Sequence, residues 1–213
     1  MLVVSAESRW FYHGDIPAPV LEWFRAGEDC IAEAPRVDRY LNLVGCTTVG
    51  VKLREGRFEI KARRAAPRSL IFTDAVNGLS DGWVKWSSAS PNLSDSADGV
   101  SMREPHEWIP VGKERWLRWL DIGEGDYAPQ RHEPPVFGCT AELTRVTVGE
   151  DLWWTFALEA MGDASRVDQL LVTAGQLYLH NHPGPQPLDE ASAASYPVWL
   201  ARHRDEFQQR IVR

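Results

Sequence analysis

Apolar and polar positions alternate with period 2 along much of this chain, the pattern of strands with one face buried. Leu2 to Tyr12, Arg36 to Val44, Val49 to Arg54, Arg57 to Arg63 and Trp83 to Ser88 read as strands, and Glu107 to Asp121 as one long or two short ones. Val49 to Arg54 and Arg57 to Arg63 meet across Glu55-Gly56, the clearest hairpin in the sequence. A second hairpin joins Gly138 to Val148 and Asp151 to Ala160 at Gly149-Glu150. Helical spacing appears first in Val20 to Ala26, with Val20, Trp23 and Phe24 on one side. It returns after Gly162, in Ser165 to His180 and, beyond the break at Pro183 to Pro187, around Ala191 to Gln209. Gly78 to Gly82 reads as a turn, and Ser90 to Val100 and Gly123 to Pro135 as exposed connections.

With 213 residues, 44% of them hydrophobic, the chain suits one well-packed domain with C-terminal additions. Apolar runs such as Trp153 to Leu158 fall far short of the roughly 20 residues a spanning helix needs. No basic segment precedes an apolar core near Met1, so a cytoplasmic protein away from membranes is expected. Cys30, Cys46 and Cys139 are widely spaced and form no CxxC pair, which argues against a disulfide framework and a zinc site. A formal charge of -7 disfavours nonspecific nucleic-acid binding, so any anion site is a local concentration of bases. The ten tryptophans suit packing across sheet faces.

Residues two apart on a strand share a face, and here the shared face is basic in several strands. Lys52 and Arg54 stand together opposite Val51 and Leu53, and Glu59, Lys61 and Arg63 stand opposite Phe58, Ile60 and Ala62. Lys113 and Arg115 form a third set, and Lys85 lies between Trp83 and Trp86. Such faces are either the solvated side of an antiparallel sheet or the inner wall of a barrel that holds a ligand. On the second reading the converging cations need a phosphate-rich anion to offset their repulsion.

Glu7-Ser8-Arg9, Arg36-Val37-Asp38-Arg39-Tyr40-Leu41, Val51-Lys52-Leu53-Arg54, Glu59-Ile60-Lys61, Lys85, Lys113-Glu114-Arg115 and Leu158-Glu159-Ala160-Met161-Gly162 occur in a suggestive order. In that order and strand parity the chain resembles CYTH-like proteins, the triphosphate tunnel metalloenzymes and their relatives. The resemblance implies an α+β fold: a mainly antiparallel eight-stranded β tunnel over residues 1–162, with flanking helices and a helical extension over 163–213 packed on the same domain. It implies phosphate contacts from Arg9, Lys52, Arg54, Lys61, Lys85, Lys113 and Arg115, to which the strand parity adds Arg63. It also implies Mg2+ or Mn2+ on Glu7, Glu142 and Glu159, joined by Glu59, with Glu7 and Glu159 as the catalytic acids. The expected activity is metal-dependent phosphohydrolysis of an inorganic or organic triphosphate.

Two departures bear on the chemistry. The family's ExExK signature, laid over residues 5 to 9, reads Ser5-Ala6-Glu7-Ser8-Arg9, so serine replaces the first glutamate and arginine the lysine. The paired glutamates of a late strand are reduced to Glu159, with Ala157 on the same face. Losing carboxylates weakens metal binding before it weakens anion binding, so a non-catalytic polyphosphate or nucleotide module, or a protein-interaction domain, is the alternative.

Other motifs carry less. Gly78-Leu79-Ser80-Asp81-Gly82 matches GxSxG, but a strand-like run follows where a nucleophile elbow needs a helix. His180 and His182 precede a Pro-Gly-Pro break without an obvious third ligand. Arg36, Asp38 and Tyr40 share a strand face, either as its structural lining or as ligand contacts. Glu142 is open to a cross-strand ion pair.

Overall fold

The structure, a computed structural model, describes residues 2–27, 29–89, 108–120 and 138–211. Strands β1 (Leu2–His13), β3 (Arg36–Leu41), β4 (Val49–Arg54), β5 (Arg57–Arg63), β7 (Val76–Ala89), β8 (Trp108–Leu120), β9 (Gly138–Val148) and β10 (Asp151–Gly162) form one antiparallel ring. Its order is β1-β10-β9-β8-β3-β4-β5-β7, and pairing of β7 with β1 closes it into an eight-stranded barrel. Two short strands lie outside the ring: β2 (Ile31–Ala32) pairs with β8, and β6 (Arg68–Thr73) pairs with the first part of β7. The helices are α1 (Ala18–Arg25), α2 (Val167–Asn181) and α3 (Tyr196–Ile211).

Both hairpins read from the sequence are present. Between β4 and β5 the turn residues Glu55 and Gly56 have φ of 48° and 68°, the left-handed pair that a tight two-residue hairpin requires. Other expectations are corrected. Gly78 to Gly82 is not a turn but lies inside β7, whose glycines admit large neighbours. A Cβ at Gly78 would lie 2.6 Å from the Trp10 ring, and one at Gly82 would lie 2.9 Å from Arg64 Nε. The third strand stops at Leu41 instead of Val44, and Ser165 precedes α2 instead of opening it. The last helix begins at Tyr196, with Pro197 in its first turn, not near Ala191, where a 3-10 turn over Glu190–Ser192 stands instead. The expected loops over 90–100 and 123–135 lie outside the described residues, as do Glu107 and Asp121.

Alternation divides the barrel wall into two packed surfaces. The outward side chains Ala6, Trp10, Leu143, Phe156, Leu158 and Ala160 join α1 and α2 in the larger core. Helix α2 lies close against the sheet at Gly175, where a Cβ would meet the Phe72 ring at 2.5 Å. Inward side chains at one end, among them Phe11, Ile109, Val111, Val146 and Trp153, pack instead on Trp199, Leu200 and Phe207 of α3. Trp199 stacks on Phe11 with ring centroids 4.7 Å apart and meets Trp153 edge-on at 5.5 Å. Helix α3 thus plugs the barrel end at which β1 finishes and β10 begins.

The chain reaches that position along β1. The β1–β7 register ends at Glu7, because the first part of β7 is engaged with β6. The edge left beyond it is met by Ala194, whose N–H donates to Arg9 O at 2.9 Å, and by a bridge from Trp10 to Ala193. Among the described residues no helix is long and apolar enough to cross a membrane.

Candidate functional site

Beyond the α3 plug the barrel interior holds a cavity of about 110 Å³. Among the described residues eight basic side chains line it: Arg9 from β1, Arg36 from β3, Lys52 and Arg54 from β4, Lys61 from β5, Lys85 from β7, and Lys113 and Arg115 from β8. Glu7, Glu59, Glu142 and Glu159 line it too. Both follow from parity: the cross-strand pairs Lys52–Glu59, Lys61–Lys85 and Glu7–Glu159 all place their side chains inward. The inner-wall reading of the basic faces is therefore the one the fold adopts.

Of the phosphate contacts and metal ligands expected from the sequence, Arg63 alone is outside the cavity lining. It pairs with Asp81 at 2.8 Å, reaches Ser195 Oγ at 3.4 Å and covers the Trp83 ring. Arg36 and Tyr40 do line the cavity, while Asp38 lies fully buried behind it. Sequence reasoning missed Ser195, Tyr196 and Pro197, which line the wall where the α3 plug begins. Their one sequence signal is Pro197, a helix-starting residue just after a tyrosine. It also missed Glu33, which binds Arg115 at 2.6 Å and Arg36 at 2.5 Å.

The bases do not repel one another unopposed, as the sequence alone implied; an ion-pair network threads through them. Arg9 donates to Glu7 and to Glu142, each at 2.6 Å, and Arg115 reaches Glu142 from the other side at 2.8 Å. Glu142 is thus held by cross-strand pairs. Asp38 accepts from Lys113 at 2.9 Å, from Arg36 at 3.3 Å and from Lys52 at 3.5 Å. Lys113 also donates to Tyr40 Oη at 2.8 Å and sits 3.9 Å from the Tyr196 ring centroid, a cation–π contact. Among the described residues, two of the bases have only distant acidic partners. Lys85 has Glu59 at 3.8 Å and Arg54 has Glu55 at 3.9 Å, and Arg54 Nε is buried without a hydrogen-bond partner.

Burial opposes ionisation of these carboxyls, but their basic neighbours outweigh it. Glu7 is held down to about 2 by Lys61 and Arg9, and Glu59 to about 2 by Lys52 and Lys85. Asp38 lies well below the usual range beside Lys113 and Lys52. Burial pushes the Lys113 ammonium down to about 8 against the pull of Asp38. Because Glu7 and Glu59 have depressed folded-state values, their contribution is complete above about pH 4.5 and is lost as pH falls toward about 2. Urea unfolding followed across that window is expected to show a steep loss; a flat profile from pH 5 to 2.5 contradicts the network.

The four acids fit a divalent ion poorly. Glu7 and Glu159 both accept from Lys61, Glu142 is held by two arginines, and Glu59 binds Lys52 at 2.9 Å. Among the described residues no three acidic, histidine or cysteine side chains form a group able to hold a metal ion.

No family model and no curated protein matches the chain. Among solved structures, the PH1819 protein from Pyrococcus horikoshii OT3 aligns with 94% of this chain and 99% of its own, with TM-score 0.53 and 11% identity. The likeness is one of fold. The eight-stranded antiparallel tunnel with flanking and C-terminal helices, which the sequence resemblance implies, is the architecture observed. A conserved hypothetical protein from Pyrococcus furiosus aligns with 91% of this chain and 98% of its own, with TM-score 0.48 and 12% identity. HpAC1 from Hippeastrum, described as having a dominant triphosphatase activity, aligns with 95% and 96%, with TM-score 0.43 and 11% identity.

Proposed function

We propose that this chain binds the end of a triphosphate or short polyphosphate, inorganic or organic, in its tunnel. One observation carries the reading: among the described residues, eight bases from six strands line one cavity onto which four carboxylates open. A phosphate chain supplies the oxygens that the loosely held Arg54 and Lys85 lack and competes with the carboxylates for the rest. Helix α3 closes one end of the barrel, so on this reading a phosphate chain is met there by its terminus. Hydrolysis, which the sequence resemblance implies, would ask Glu7 and Glu159 to serve as catalytic acids while both hold Lys61; binding asks nothing further of them.

Calorimetric titration with tripolyphosphate tests this reading. Saturable one-to-one binding is expected, weakened about tenfold or more by Arg54→Ala and by Lys85→Ala, since each charge-assisted contact is worth roughly 1.5–3 kcal/mol. Neither side chain anchors the buried network, so both variants are expected to unfold within about 1 kcal/mol of the parent. No heat of binding, or equal affinity in all three proteins, rules the proposal out. A phosphate-release assay run alongside, with Mg2+ or Mn2+ added, is expected to give no release that Glu159→Gln abolishes.

A further inference from the structure

The Glu7 and Glu159 carboxylates stand opposite each other in the β1–β10 register and share one cation, the Lys61 ammonium. Lys61 Nζ donates to Glu7 Oε2 at 3.1 Å and to Glu159 Oε1 at 3.0 Å. The remaining oxygen of Glu7 accepts from Arg9 Nε at 2.6 Å. These two acids are the ones to which the sequence resemblance gives both catalysis and a divalent ion. In this chain their negative charge is already matched by a lysine and an arginine.

We propose that Lys61 supplies the cation of this tunnel in place of a divalent metal. An ammonium group has three N–H donors; two are directed at Glu7 and Glu159, leaving the third for a phosphate oxygen in the cavity that Lys61 lines. A Mg2+ or Mn2+ ion seated between the same carboxylates would have to displace that ammonium and would face Arg9 as well. Such ions need near-octahedral oxygen coordination, and these two acids with their guanidinium and ammonium partners do not offer it. The inference rests on the anion-binding reading of the same cavity, and it adds that binding there needs no divalent ion.

The test uses Mn2+ alone, so its outcome is separate from whether tripolyphosphate binds. Free Mn2+ is followed by its electron paramagnetic resonance signal as protein is added. Wild-type protein is expected to remove no Mn2+ at about 1 mM, whereas Lys61→Ala, which leaves two carboxylates facing one another, binds Mn2+ at least about tenfold more tightly. Adding Glu159→Gln to Lys61→Ala is expected to abolish the gain. Should Lys61→Ala fail to fold, Lys61→Met keeps the apolar stem and is read in the same way. Wild-type protein that binds Mn2+ as tightly as the Lys61 variants overturns the proposal. So does tripolyphosphate binding that is lost in chelator and restored by Mn2+.

Discussion

Asp38→Ala is expected to cost roughly 3–5 kcal/mol of folding stability, because it leaves buried cations without their shared counter-charge. Asp38 is fully buried, and its two oxygens accept from Lys113, Arg36 and Lys52, which come from three different strands. Removing it does not simply delete three ion pairs. It leaves an ammonium that burial already disfavours, Lys113, facing two other bases. For a chain of this length the loss corresponds to a fall of about 10 °C or more in Tm. The ligand supplies a diagnostic second reading. On the proposed binding, tripolyphosphate would restore counter-charge to the same bases, so it is expected to raise the Tm of Asp38→Ala by more than it raises that of the parent. A change below about 1 kcal/mol in urea unfolding would mean that the buried network is not what holds β3, β4 and β8 in register.

Trp199→Ala carries the other large effect. Trp199 is almost completely buried, stacked on Phe11 and in contact with Trp153 and Phe207, so truncation opens a cavity in the plug and costs roughly 3–5 kcal/mol. Its indole N–H has no hydrogen-bond partner, so Trp199→Phe gives up ring volume without breaking a polar contact and is expected to cost less than half as much. Function separates the two variants as well. With the plug loosened, Trp199→Ala is expected to lose discrimination between tripolyphosphate and longer linear polyphosphate in competition calorimetry, while Trp199→Phe keeps it. Equal chain-length preference in both variants would show that α3 does not limit the tunnel.

The elements set by local pattern were legible in the sequence. The β4–β5 and β9–β10 hairpins announce themselves through period-2 alternation and two-residue turns, and parity alone grouped Lys52 with Arg54 and Lys113 with Arg115. Parity does not say which face turns inward, because that depends on closure of the ring by the β1–β7 pair, between segments more than 70 residues apart. The glycines of β7 misled for a related reason. Gly78 has no side chain because Trp10, far away in sequence, lies over it, and a glycine kept for close approach looks like one kept for a turn.

The site was legible in its members and not in its pairing. Every basic residue singled out except Arg63 lines the cavity, yet nothing local foretold that Asp81 would draw Arg63 aside or that Glu33 would grip Arg115. Asp38 and Tyr40 sit in a run that reads equally well as a plain strand, and their roles follow from Lys113 on the neighbouring strand β8 and, for Asp38, from Lys52 on β4 as well. Ser195 and Tyr196 reach the cavity because the chain runs along the β1 edge before turning into the plug, a path with no periodic signature.

A crystal structure of the chain grown with tripolyphosphate puts the central claim to its most direct test. The expected result is a phosphate chain in the tunnel with oxygens within about 3.2 Å of Arg54, Lys61 and Lys85, its inner end stopped by the α3 plug. An undisturbed ion-pair network at saturating tripolyphosphate, with the ligand absent from the cavity or bound only on the outer surface, would contradict it.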